Sequence, residues 1–283
     1  MGTMRTELNR EEMAFTRVAA IDGRHRSAGS FPQYQKKRAV NFLGRELLSG
    51  EVACSLSHLE CVKRFLASGE RYALVLEDDS AMEVGFAARV AEIIDVLEQD
   101  PSLGWHVVHL SSPALKLSTP LAGIGDFSIR HAHYFPMRTT AILWSRAGAR
   151  AFVNLPPVIF APIDLFFRYW MTRTGKGLAT SPALVLDRLG VSEIDNQNGT
   201  LTRHGGYRGI AFFFRKQRRI GLGKLVAVRQ LFTLRLIRAL SGRSPRALRE
   251  EHSSRGRVAH ATVGTGPAAS RSATNRAVAA VGD

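Results

Sequence analysis

Disulfides cannot hold this chain together. Its 283 residues include only two cysteines, Cys54 and Cys61, seven apart on what reads as one helix. A disulfide framework is excluded, and a reducing compartment is expected. Also missing are any run of 18 apolar residues and, in the opening MGTMRTELNREEM, the apolar core of a secretory leader. Both absences point to a cytoplasmic chain that does not span a membrane. The third scarcity is local: no acidic residue occurs between Asp195 and Glu250. The formal charge of +15 is therefore uneven. Residues 1–202 carry 22 Lys/Arg against 21 Asp/Glu, whereas residues 203–283 carry 17 against 3. A near-neutral body bears a cationic extension, and 45% apolar content is enough for that body to fold around a core.

Hydrophobic periodicity organises the body. A polar helix over about Thr6–Met13 precedes AFTRVAAIDG, read as a strand and then a turn at Asp22-Gly23, and the basic stretch 23–38 reads as loop. A helix starts after Ser49, its expected N-cap, and runs to a Gly69 C-cap, with Leu59, Val62 and Leu66 as its expected buried stripe. YALVL at 72–76 is a continuous apolar run of strand length, the pattern of a strand covered on both faces in a parallel sheet. Phe86, Val90, Ile93 and Leu97 then repeat at helical spacing, and strand-like runs recur at 105–110, 139–144 and 182–187. This alternation predicts an α/β fold with a mostly parallel sheet flanked by helices.

The apolar run at 72–76 ends in Glu77-Asp78-Asp79. Three carboxylates in a row at a buried strand end repel one another and resist desolvation. A hard divalent cation relieves them, because Mg²⁺ or Mn²⁺ is held by one or two carboxylates plus phosphate oxygens, and open α/β sheets bind ligands at the carboxyl ends of strands. Extended backbone would put Glu77 and Asp79 on one side and Asp78 on the other. The competing reading is an acidic turn capping a helix after Ser80. Cys54, His58 and Cys61 share a helical face, so a soft-metal site competes there with simple core packing of the cysteines. Asp164, ahead of the aromatic run Leu165-Phe166-Phe167, reads either as a base whose pKa burial raises or as the N-cap of the next helix. Asn198-Gly199-Thr200 matches the glycosylation triplet and is read as loop.

The block GEVACSLSHLECVKRFLASGERYALVLEDD at 50–79 resembles the hallmark of glycosyltransferase family 25, the lipooligosaccharide galactosyltransferase type. RVAAIDGR at 17–24, WHVVHLSS, TTAILWSRAGARAF and APID at 161–164 resemble further family segments in the family's order. The resemblance implies a GT-A-like fold with a mixed, mostly parallel sheet, and inverting, metal-dependent transfer of galactose or glucose from a UDP-sugar to a lipopolysaccharide-type or related glycan hydroxyl. It implies Mn²⁺ or Mg²⁺ held by Glu77 and Asp79 with Asp78 in support, Asp164 as catalytic base, and Asp22, Gly23, Ser57 and His58 on the donor side. Ser57 and His58 read equally as groups that order the acidic loop or bond backbone. Three departures stand out, one being that the family's Gly-Thr-x-Gly-Tyr region reads Arg138-Thr139-Thr140-Ala141-Ile142. The family's opening strand is absent before the first helix, so the strand ending at Asp22 is expected to need a parallel neighbour from residues preceding Met1. The family's later Ser-Asp-Ile reads Ser192-Glu193-Ile194.

The resulting plan is a glycosyltransferase domain at 1–202, a basic amphipathic segment at 203–243 and a disordered tail at 244–283. Within 211–240, Leu225, Val226, Phe232, Leu236, Ile237 and Leu240 form a broad apolar arc, with Lys224, Arg235 and Arg238 on another and Arg229 interrupting the first. That pattern fits a helix lying on an anionic membrane surface, so the protein is expected at the inner face of the cytoplasmic membrane. A catalytically inactive scaffold and a nucleic-acid-binding protein are the alternative readings.

Overall fold

The computed structural model describes residues 2–188, 210–240 and 276–282. In chain order the elements are α1 (Gly2–Arg10), β1 (Phe15–Ala19), α2 (Lys36–Leu43), α3 (Ser49–Ser68), β2 (Tyr72–Glu77), β3 (Ser80–Met82), α4 (Phe86–Glu98) and β4 (Val107–His109). There follow β5 (Ser118–Ile124), β6 (Phe127–Ala132), β7 (Ala141–Ser145), α5 (Arg146–Val153), α6 (Ile163–Thr174), β8 (Gly177–Ser181), β9 (Val185–Asp187), α7 (Ile210–Leu240) and β10 (Arg276–Gly282). Residues 192–194 and 198–200 lie outside the described residues.

Alternation along the central strands builds two cores. Leu74 and Leu76 of β2 and Leu143 of β7 pack with Met4 and Leu8 of α1 and with Phe86, Val90, Ile93 and Leu97 of α4. The intervening Ala73, Val75, Ile142 and Trp144 face Val62 and Phe65 of α3, Phe152 of α5, and Phe167 and Trp170 of α6. Each of the large buried side chains contributes about 1.5–3 kcal/mol through the apolar area it removes from water. On α3 the buried stripe is Cys61, Val62 and Phe65, while Leu59 and Leu66 are only partly covered. The stripe is displaced because the helix packs on α5 and α6 as well as the sheet. Leu48, not Ser49, holds its N-cap position. Glu51 reaches back to accept from the Leu48 N–H at 2.9 Å.

The large sheet has the order β1-β10-β2-β7-β4-β8-β6-β5, its six strands from β2 to β5 being mixed in direction. The sheet is mixed, as expected, but its antiparallel pairings outnumber its parallel ones, so it is less parallel than expected. β7 runs antiparallel to both β2 and β4, and β6 is antiparallel to β5 and β8. A continuous apolar run reports cover on both faces, which helices supply whichever way a strand points, so it carries no direction. A second, two-stranded sheet pairs β3 with β9.

Two features of the C-terminal region differ from the sequence plan. Arg276–Gly282, within the stretch expected to be disordered, form β10, parallel to β1 on one side and β2 on the other. The parallel neighbour that β1 was expected to draw from residues preceding Met1 is thus β10. α7 docks on α2 and α6. Ala227 is buried, Arg219 Nη1 donates to Phe42 O at 2.8 Å, and Gln230 Nε2 donates to Thr172 O at 2.6 Å. Its opposite side leaves Phe214, Leu225, Phe232 and Leu236 exposed, so the apolar arc read from the sequence is split, with Val226 turned inward. Among the described residues no helix is long and apolar enough to cross a membrane.

Candidate functional site

β2 delivers Glu77 to the face covered by α3, since it continues the alternation of Ala73 and Val75. There His58, 1% exposed, puts Nε2 3.1 Å from Glu77 Oε1, and the Thr139 hydroxyl donates to the same oxygen. Burial pushes the Glu77 carboxyl up, but the His58 and Thr139 contacts outweigh it and hold the group below the usual range. The backbone then turns at Asp78 and Asp79, so the extended geometry expected to place Glu77 and Asp79 side by side does not continue. A strand, β3, follows instead of a helix, and α4 begins only after a Gly85 cap. Helix capping by the three acids is thereby ruled out.

The turn gains a fourth acid that the sequence reading does not single out. Asp187 ends β9 and pairs in register with Ser80. Desolvation and the charges of Glu77, Asp187 and Asp78 push the Asp79 carboxyl up to about 6. Because Asp79 is solvent-exposed, the neighbouring carboxylates are the stronger cause. Asp187 is braced by an ion pair with Arg138 and by the Thr140 hydroxyl, which donates to Oδ1 at 2.7 Å. The signal for Asp187 was available: PALVLD, like YALVLEDD, is an apolar run ending in an acid.

His109 also went unrecognised, hidden inside the apolar run WHVVHL. Fully buried, its Nε2 lies 3.0 Å from both Met137 O and Arg138 O, and its Nδ1 accepts from the Ser111 N–H at 3.3 Å. This pattern fixes the neutral tautomer with the proton on Nε2. Burial agrees, lowering the pKa to about 4. The ring thus pins the segment that offers Thr139 and Thr140 to the acids. Arg138 within it has φ +78°, a left-handed conformation that a non-glycine residue holds only under such restraint.

The other expected residues are distributed as follows. Ser57 donates to Ala53 O and accepts from the Ile21 N–H, both at 2.9 Å, so its hydroxyl ties the end of β1 to α3. Asp22 is exposed and accepts from Arg24 through both backbone and guanidinium, the geometry of an Asx turn. Gly23 lies against the start of α3, where a Cβ would stand 2.8 Å from the Ser49 carbonyl. Cys61 packs in the core, with its thiol pushed up to about 12 by burial. Cys54 and His58 instead come together with Glu77, their ligand atoms within 4.8 Å of one another. Asp164 is neither the cap nor an isolated acid. Pro162 holds the cap position of α6, Asp164 lies in the first turn accepting from the Leu165 N–H, and the charges of Arg45 and Arg168 act on it.

The acids at the strand ends carry negative charge in excess of their partners, while among the described residues the group of potential ligand atoms that lie within 4.8 Å of one another is Cys54, His58 and Glu77. Residues 2–109 match the model of a protein family described as Glycosyltransferase family 25 (LPS biosynthesis protein). Among similar proteins is a rat "Probable inactive glycosyltransferase 25 family member 3", 30% identical over 53% of this chain and 27% of its own length. "Procollagen galactosyltransferase 1" of Danio rerio is 26% identical over 56% of this chain and 27% of its own length. "Lacto-N-neotetraose biosynthesis glycosyltransferase LgtB" of Neisseria meningitidis serogroup B is 30% identical over 54% of this chain and 60% of its own length. The chain spans about a quarter of the animal proteins it matches.

Proposed function

Through residues 2–109 this chain belongs to glycosyltransferase family 25, and from that premise we propose that it is a metal-dependent hexosyltransferase of GT-A-like fold. It moves galactose or glucose, with inversion, from a UDP-sugar to a hydroxyl of a lipopolysaccharide-type or related glycan. The observation that carries this reading is the gathering of Glu77, Asp78 and Asp79 with Asp187 of the adjoining strand β9, where desolvation and the neighbouring charges raise Asp79 to about 6.

Asp79 and Glu77, with Asp78 beside them, are the groups that would hold Mn²⁺ or Mg²⁺, and the cation would neutralise charge on a diphosphate leaving group. The chain's own residues prepare that turn. His58 and Thr139 keep Glu77 ionised, Thr140 and Arg138 orient Asp187, and His109 fixes the loop bearing all three partners. Asp164, flanked by Arg45 and Arg168, is the proposed acceptor of the proton released by the attacking hydroxyl. Asp22 and Gly23, at the end of β1, shape the donor side by backbone, with Ser57 and His58 supporting them.

The exposed Phe214, Leu225, Phe232 and Leu236 of α7, interspersed with Lys224, Arg229 and Arg235, favour docking on an anionic membrane surface over nucleic acid. Exposed aromatic and aliphatic side chains gain by entering an acyl boundary, whereas phosphate-backbone binding has no use for them. The protein accordingly works at the cytoplasmic face of the membrane. A scaffold role is the second reading, favoured by the relatives whose names call them inactive and by the engagement of Glu77 with His58 and Thr139. Donor hydrolysis across a panel of UDP-sugars with Mn²⁺ separates the two. Turnover of UDP-galactose or UDP-glucose is expected, and a silent panel leaves the scaffold.

A further inference from the structure

A cavity of about 640 Å³ lies between α2, α6 and α7, and among the described residues seven that line it are Lys or Arg while none is acidic. Aromatic rings complete its walls: Phe42, Tyr134, Phe160 and Tyr169. Such a concentration of one charge inside a concave site is held in place without carboxylates. Arg168 Nε donates to Phe135 O at 2.8 Å and Arg215 Nη1 to Val40 O at 3.0 Å, as Arg219 does to Phe42 O. Arg38 stacks 3.9 Å from the Phe160 ring centroid, and Arg173 lies 4.5 Å from that of Tyr169. None of the seven forms an ion pair with a described acid, although the charge of Asp164 reaches Arg168. Carbonyls and ring faces orient a guanidinium but leave its positive charge uncancelled. Burial lowers the pKa of both Arg168 and Arg219, and on Arg219 the charges of Arg168 and Arg45 push the same way. The close docking of α7 that creates the cavity depends on Gly223, where a Cβ would stand 3.0 Å from the Tyr134 ring.

A pocket that gathers arginines at this cost, with aromatic faces between them, is complementary to several phosphate groups borne on a ring scaffold. We propose that this cavity binds a phosphate-bearing saccharide. Its place relative to the acidic turn gives the site a direction. Met137 and Leu165, which line it, are each adjacent in sequence to residues of the candidate site, Arg138 and Asp164. The ligand is the acceptor glycan, a role that rests on the transferase reading above, while the binding itself does not. Of the exposed apolar residues of α7, Leu222 lines the cavity while Phe214, Leu225, Phe232 and Leu236 do not, so the side chains assigned to the membrane are distinct from those assigned to the saccharide.

Calorimetric titration of the full chain with glucose 1,6-bisphosphate, with a chelator present so that the acidic turn holds no cation, tests this directly. Saturable binding is expected for the bisphosphate and not for glucose. Lys216→Gln, which removes one of the cavity's charges, should weaken it about fivefold, and Lys216→Gln combined with Arg215→Gln at least tenfold. Unchanged affinity in the double variant, with an unchanged circular dichroism spectrum, overturns the proposal. So does binding of phosphatidylglycerol vesicles by a wild-type chain that ignores the bisphosphate, since the cations would then serve a lipid surface. If the bisphosphate binds and the double variant loses it while no UDP-sugar is ever turned over, the cavity stands and the transferase reading falls.

Discussion

Two regions of this molecule concentrate charge, and they do it by opposite means. The acidic turn draws Glu77, Asp78, Asp79 and Asp187 from the ends of β2 and β9, so strand pairing sets their spacing, and its partners are His58, Arg138 and two threonines. The cationic cavity draws its arginines from helix faces and satisfies them with backbone carbonyls and rings. In the first, counter-charge is present but insufficient, and the surplus appears as the raised pKa of Asp79. In the second, no carboxylate of the described residues lines the wall. On the proposed reading each surplus meets a ligand of opposite charge, a cation at the turn and phosphate in the cavity.

The comparison breaks first at Asp79. Asp79→Asn should lower Mn²⁺-dependent donor turnover by at least about a hundredfold, since one charged oxygen ligand is worth several kcal/mol in a transition state. The same change should leave the melting temperature unchanged or higher, because the charge removed is repelled by its neighbours. Full activity, or a collapse in thermal stability, removes the acidic turn from the chemistry.

The bracing of that turn is tested next. His109→Ala deletes a fully buried ring that bonds two carbonyls, and urea denaturation should register a loss of about 3 kcal/mol. A pH dependence accompanies it. His109 and His106 both sit near pKa 4 when folded, against about 6.5 unfolded. Between those values the unfolded chain binds more protons, so their contribution is complete above about pH 6.5 and is lost as pH falls towards 4. His109→Gln should flatten that part of the stability curve. A slope equal to wild type would show that other groups set it.

Smaller effects are expected on the outer surfaces. Phe232→Ser with Leu236→Ser should weaken sedimentation with phosphatidylglycerol vesicles about tenfold or more without altering the fold, because both side chains are exposed. Equal binding by wild type and variant would leave the outer face of α7 without a membrane role. Smallest of all, iodoacetamide at pH 8 should modify the half-buried Cys54 well before Cys61, whose thiol titrates near 12, as peptide mass mapping can follow.

Much of the acidic turn was legible because its residues are contiguous: an apolar run that stops at three acids needs only one-dimensional information. Asp187 and Ser80 are neighbours through strand pairing, which no local pattern announces. His109 was masked by the strand it occupies, since a buried ring within an apolar run reads as ordinary core. Phe86, Val90, Ile93 and Leu97 were correctly assigned because a helix covering one sheet face must repeat at about 3.6 residues. The direction of β7 was not available, and the β5–β6 hairpin passed unnoticed because its alternation is diluted by Pro120 and three glycines or small residues around the turn. The cavity was illegible for a different reason. Its arginines come from α2, α6 and α7, and only the docking of α7 turns a basic stretch of sequence into a concave site.

The position of β10 has a consequence for the order in which the molecule can be made. β1 and β2 have no bond to each other; each finds its parallel neighbour only in Arg276–Gly282, with Phe15 opposite Val278 and Tyr72 opposite Arg276. On a ribosome the first half of the chain therefore emerges with two open strand edges, and it keeps them until residues far downstream have left the tunnel. Local helices can form at once, but this part of the sheet closes last, through some of the longest loops in the chain. During that interval the edge of β2, built from Ala73, Val75 and their neighbours, is a template for any other strand that reaches it. Expression yield should then be governed less by the stability of the finished protein than by how well that waiting edge is shielded.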